Sequence, residues 1–203
     1  MDRAKIPNIL TIARILLIPV LIVSFYVPWK ITNLVVAFWF MLASITDFFD
    51  GYLARLYKVQ SKFGQCFDPI ADKLIVIVSL VMIISCNDSI FILIPSLIIM
   101  CREILVSGLR EFLGSINVEM PVTKLAKYKT AFQMFAITGL LLASKNSSYT
   151  FETIMDYFEF EPFLRIFFNG LIENISIFLL NIAALLSLVT GYQYLKTSLK
   201  YMK

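Results

Sequence analysis

Between positions 47 and 72 the chain reads DFFDGYLARLYKVQSKFGQCFDPIAD, and its aspartates are spaced for chemistry. Asp47 and Asp50 are three residues apart, Asp68 and Asp72 four, so on helices each pair shares a face. Two helices joined by a short loop can bring both pairs together. Four ionised carboxylates in one place repel strongly unless they are compensated. Hard divalent cations with a preference for oxygen ligands are the natural remedy, Mg²⁺, Mn²⁺ or Ca²⁺. Four aspartates can hold two ions, about 3.5–4 Å apart in sites of this type, and such a pair suits phosphoryl displacement. Gly51 and Ala54 remove bulk beside the first pair, which lets a flat nucleotide lie against the backbone. Arg55 is a fork donor for phosphate oxygens, and Gly64 is expected in the turn before the second pair. The chain has no histidine, so a carboxylate is the available base. Ser61 and Cys66 lie nearby without a visible base partner, which favours direct in-line displacement over a covalent intermediate.

Plainer readings exist for single residues. Asp68-Pro69 could be an N-cap followed by proline at the first helical position. Gly51 could be a packing glycine of a membrane helix. Arg55, Lys58 and Lys62 could serve topology only. None of these accounts for Asp47, Asp50 and Asp72 at the ends of apolar helices.

The elements that must position these residues are apolar. Of 203 residues, 59% are hydrophobic and 16% charged, with a mean hydropathy of +0.82. A soluble domain of this size could not bury that surface, and a disordered chain would not contain it. Uncharged runs cover Ile15–Val27, Ile31–Thr46, Leu74–Asn87, Ser89–Cys101, Thr130–Ser144 and Asn174–Leu195. Only the last reaches the roughly 20 residues that a spanning helix needs. The others must borrow charged neighbours: Arg14, Asp47 and Asp50, Asp72 and Lys73, Arg102 and Glu103, Lys127 and Lys129. The expected architecture is all-α, one integral-membrane domain over residues 1–203 with six transmembrane helices.

With six spans, 15 of the 18 lysines and arginines fall on the side of the two termini. The positive-inside rule makes that side cytosolic, and the borrowed charges, the aspartates among them, fall there too. The active site is therefore expected at the cytosolic face. The acidic, aromatic stretch 146–170 is expected to be an extracytoplasmic loop, with room for an interfacial helix. The three cysteines, Cys66, Cys86 and Cys101, form no CxxC pair and support neither a disulfide framework nor a zinc site.

A second group of charges lies further on. Arg102 and Arg110 fall near one face of a fourth helix, with Glu103 beside them, and Lys127 and Lys129 open a fifth. A convergent cluster of this kind suits a phosphate dianion. Snorkelling, topology-setting charge is the alternative, and it is weakest for Arg102, deepest in an apolar stretch.

The pattern Asp47-x2-Asp50-Gly51-x2-Ala54-Arg55-x8-Gly64-x3-Asp68-x3-Asp72 resembles the signature of the CDP-alcohol phosphatidyltransferase family at all eight defined positions. The segments IPNILTIARILLIP, CREILVSGLREF and KLAKYKTAFQM are similar to its bacterial phosphatidylglycerophosphate synthase branch. The likeness covers roughly residues 5 to 144. It implies six spanning helices, a homodimer and a site open to the cytosolic leaflet of a bacterial inner membrane, with both termini in the cytosol. It implies transfer of a phosphatidyl group from CDP-diacylglycerol to sn-glycerol 3-phosphate with release of CMP, and no nucleic-acid partner. By motif position, Asp47, Asp50, Asp68 and Asp72 would be ligands of two Mg²⁺ or Mn²⁺ ions, and Asp72 also the general base. Asn8, Thr11, Gly51, Ala54, Arg55 and Ser61 would contact the CDP moiety. Arg102, Arg110, Lys127 and Lys129 would hold the acceptor phosphate, a choice that the charge argument shares. The rivals are the same chemistry with inositol phosphate or serine as acceptor, and an ion or proton transporter using intramembrane aspartates. The transporter predicts carboxylates at the bilayer midplane rather than at helix ends.

Overall fold

The computed structural model describes residues 5–27, 31–57, 62–116, 118, 124–144 and 162–201; its side chains are described for 11–27, 31–46, 67, 69–116, 118, 124–144 and 170–201. The described residues form six helices and no strands: α1 Lys5–Tyr26, α2 Thr32–Tyr57, α3 Lys62–Ser85, α4 Ile90–Ser115, α5 Lys124–Leu142 and α6 Pro162–Ser198. Each covers all or nearly all of one of the six apolar runs, and the first five extend through the charged neighbours that the run had to borrow.

Two boundaries differ from expectation. Gly64, expected in a turn, lies inside the first turn of α3, so Asp68 and Pro69 are interior helix positions rather than a cap. Pro69, the eighth residue of α3, removes one intrahelical donor there, a cost that the rest of the helix and its packing must outweigh. The second difference is at the C-terminal side. α6 begins at Pro162, so residues 162–170 belong to the last helix and not to a loop. Its 37 residues make a rod about 55 Å long, against a hydrocarbon core of about 30 Å. Residues 145–161 lie outside the described residues.

Packing divides the bundle in two. α1 lies against α2 and α3, while α6 lies against α5 and α4; α2 on α5 and α3 on α4 and α5 close the seam. Phe25, Phe40, Leu80, Ile83, Ile99, Ile137 and Leu180 are buried together, at least one from every helix. The outer surface is apolar as well, with Leu16, Phe91, Phe135, Phe178 and Leu185 exposed. α4 and the Gly170–Ser198 part of α6 are each long and apolar enough to cross a membrane.

Opposite ends of the bundle are fixed differently. At one end Asn33 of α2 donates through Nδ2 to the carbonyls of Ser144 (2.6 Å) and Leu142 (3.3 Å). These carbonyls close α5, where the last turn lacks intrahelical partners. Just below, Gly139 of α5 faces Ser176 of α6 so closely that a Cβ at 139 would fall on the serine hydroxyl. Small residues allow this approach where helices have no hydrophobic drive to associate. Nearby, an apolar groove of about 280 Å³ runs between α4 and α6, lined by Phe91, Ile94, Pro95, Leu185 and Leu188. The other end holds Asp72, Arg102, Glu103, Arg110 and Lys129.

Candidate active site

α2 ends at Tyr57 and α3 starts at Lys62, so consecutive helices place their motif-bearing ends side by side. The four residues between them span at most about 15–18 Å when fully extended. Asp47, Asp50, Gly51, Ala54 and Arg55 are helical positions in the last turns of α2, and Asp68 and Asp72 in the first turns of α3. Both aspartate pairs therefore lie on helical backbone, three and four residues apart. The side chains of Asn8, Asp47, Asp50, Ala54, Arg55 and Asp68 lie outside the described set, as does Ser61 altogether. Thr11 is fully buried in α1 and Arg14, one turn on, is 3% exposed.

Asp72 is half-buried and attracts Lys129 of α5 electrostatically; Lys73 attracts Glu103 of α4 in the same way. The start of α3 and the cationic residues of the second half thus belong to one polar end. Four carboxylates presented by two adjoining helix ends suit a hard divalent cation better than a thiol- or imidazole-seeking one. Among the described side chains no three carboxylates or thiols gather as a metal site; three of these four aspartates are not in that set.

The cations are organised by Glu103. Its Oε1 accepts from Lys129 Nζ and from Arg102 Nη1 (3.3 Å). Lys129 is 1% exposed, and an ammonium buried to that degree is tolerable only beside a carboxylate. Two cations on one carboxylate leave the trio with a net positive charge. Arg102 also donates from Nη2 to Thr190 Oγ1 (3.4 Å) on α6, while its buried Nε has no partner among the described residues. Its stem passes Gly191, where a Cβ would come within 3.3 Å of Arg102 Cγ. Arg110, more than two turns along α4 and exposed, donates from Nη2 to the Tyr194 hydroxyl (2.8 Å). Lys127 is exposed and lies about 200° around α5 from Lys129, away from the trio.

Of the four expected acceptor residues, Arg102, Arg110 and Lys129 are therefore drawn together and Lys127 is not. Sequence reasoning missed Thr190 and Tyr194, which reach the cations from the last helix. The only signal was two polar residues four apart on the last helix, among several others there, and nothing in the chain order ties them to Arg102.

The profile of the CDP-alcohol phosphatidyltransferase family matches residues 4–190. The chain belongs to this family. Among curated relatives, a Rickettsia felis protein is 44% identical over 97% of both chains. A Cereibacter sphaeroides protein is 39% identical over 98% of this chain and 97% of its own. A Haemophilus influenzae protein is 34% identical over 97% and 94%. All three are named CDP-diacylglycerol–glycerol-3-phosphate 3-phosphatidyltransferase. The CDP-alcohol phosphatidyltransferase match takes in both aspartate pairs, Arg102, Arg110 and Lys129, and stops at Thr190, before Tyr194.

Proposed function

We propose that this chain transfers the phosphatidyl group of CDP-diacylglycerol to sn-glycerol 3-phosphate, giving phosphatidylglycerophosphate and CMP. The observation that carries the reading is the pairing of the Asp47–Asp72 motif, on adjoining ends of α2 and α3, with a net-positive Arg102–Glu103–Lys129 trio electrostatically linked to it. The names of relatives similar along nearly the whole chain support the same donor and acceptor.

The acceptor hydroxyl attacks the β-phosphorus of the donor, the one bearing diacylglycerol. Its proton passes to the carboxylate of Asp72, and the bond to the oxygen of CMP breaks. Asp47, Asp50, Asp68 and Asp72 would hold two Mg²⁺ or Mn²⁺ ions, which when bound neutralise the diphosphate and the departing CMP. Gly51 and Ala54 leave room for the nucleotide beside α2, and Arg55 supplies a planar donor for its phosphates. Arg102, Arg110 and Lys129 attract the phosphate of the acceptor and hold its hydroxyl at reacting distance.

All six helices span the membrane in this reading. α4 and α6 do so on apolar length alone. The other four carry their charges at the end where Asp72 and Lys129 lie, which the positive-inside rule makes cytosolic. The setting is a bacterial inner membrane, with both termini in the cytosol and the enzyme acting as a homodimer.

The test is CMP release by purified protein supplied with CDP-diacylglycerol, Mg²⁺ or Mn²⁺ and one acceptor at a time. Release should require sn-glycerol 3-phosphate and stop when the metal is chelated. Release driven by serine or inositol phosphate instead replaces the acceptor. Ion flux in proteoliposomes without any CMP release replaces the enzyme with a transporter.

A further inference from the structure

Tyr194 sits where two of the acceptor cations meet. It is 4% exposed, on α6, beyond the stretch that the family profile matches. Arg102 Cζ lies 5.8 Å from the centre of its ring and Arg110 Cζ 5.0 Å. Both are within cation–π range. Arg110 also donates to the phenol oxygen at 2.8 Å. The two arginines are eight residues apart on α4, an axial separation of about 12 Å, and the ring occupies the interval between them.

Two guanidinium groups drawn to one ring repel each other, and each long side chain gives up rotamer freedom to stay there. Among the described residues no carboxylate pairs with Arg110: Glu103 accepts from Arg102 and Lys129. Arg102 keeps a buried Nε without a partner among the described residues, so its donors are not used up by its neighbours. A third group that attracts both cations without neutralising either has one evident use. It keeps them together and positively charged until an anion arrives.

We propose that Tyr194 is a positioning residue for the acceptor: its ring and hydroxyl hold Arg102 and Arg110 as a preformed cradle for the acceptor's phosphate dianion. The inference rests on the acceptor reading above and deepens it. Tyr194 touches neither donor nor reacting atoms; it acts through the two arginines. Its loss should be felt in acceptor affinity and not in the chemical step or the CDP-lipid contacts.

The experiment uses the full-length protein in CDP-diacylglycerol mixed micelles, with CMP release followed against sn-glycerol 3-phosphate. Tyr194→Phe keeps the ring and removes the acceptor of Arg110; KM for glycerol 3-phosphate should rise about fivefold. Tyr194→Leu removes both, and the rise should reach about thirtyfold or more. In each variant kcat should stay within about twofold of wild type, and KM for CDP-diacylglycerol should be unchanged. Competitive inhibition by inorganic phosphate should weaken in step with KM, which a purely structural role would not produce. The proposal is overturned if Tyr194→Leu keeps the wild-type KM for glycerol 3-phosphate, or if its loss falls on kcat or on the CDP-lipid. If Tyr194→Leu does not fold, Tyr194→Phe decides alone, and an unchanged acceptor KM there overturns the proposal. A wild type that releases no CMP with glycerol 3-phosphate instead overturns the acceptor reading beneath it.

Discussion

The carboxylate half and the cation half of the polar end are built in opposite ways. All four aspartates lie within one helix–connection–helix unit, and their spacing is set by helical pitch and a connection of four residues. The cations come from α4 and α5 and are met by Thr190 and Tyr194 of α6, so their arrangement depends on how three helices pack. A site made from neighbours in sequence survives small errors in tertiary packing. A site made across helices does not, and it needs internal partners such as Glu103 and Tyr194 to keep its geometry.

The largest effect expected from this contrast is at the local half. Asp72→Asn keeps size and helix position but removes the proton acceptor, so CMP release should fall by about a thousandfold or more. Its unfolding midpoint should stay close to wild type, because the unit that places it is held by its own helices. Substantial transfer by this variant would take Asp72 out of the base role.

The non-local half should answer differently, losing stability along with activity. Glu103→Gln leaves Lys129 buried without its counter-charge, a change expected to cost about 3 kcal/mol and visible as a lower unfolding midpoint. Adding Lys129→Met should restore much of that stability without restoring acceptor affinity, a coupling that a double-mutant cycle measures. If Glu103→Gln is as stable as wild type, the trio is not a structural unit and the contrast fails.

The smallest effect belongs to the far end. Asn33→Ala removes the donor to the carbonyls of Leu142 and Ser144 and should lower stability by about 1 kcal/mol. CMP release per folded molecule should not change, since Asn33 is at the end opposite Asp72. A loss of activity in this variant would show that the two ends are coupled more tightly than their separation suggests.

The same contrast decides what the sequence could reveal. The aspartate spacing, the apolar runs and the side to which the charges fall are local or additive properties, and they anticipated both the helices and the motif-bearing ends. Helix starts were less legible. Gly64 and Pro69 are residues of turns and caps, yet α3 runs through both, against local preferences of about 1 and 3 kcal/mol that the sequence alone gives no reason to override. The aromatic, acidic character of 146–170 hid the start of α6 at Pro162. Arg102 and Lys129 could be picked out by depth and charge, but their shared dependence on Glu103 is a contact between helices 26 residues apart in sequence. Tyr194 stands four residues after Thr190, but nothing in the chain order ties it to the two arginines.

One missing methyl group has a long reach. Gly139 lets α6 seat its Ser176 against α5 at the end away from Arg102 and Lys129. A helix is stiff, so a spacer inserted at that point works as a fulcrum, and the opposite tip of the rod swings. That tip carries Thr190 and Tyr194. The alignment of the cations therefore depends on a glycine about 15 Å from Lys129 along α5, at a position with no charge and no chemistry of its own.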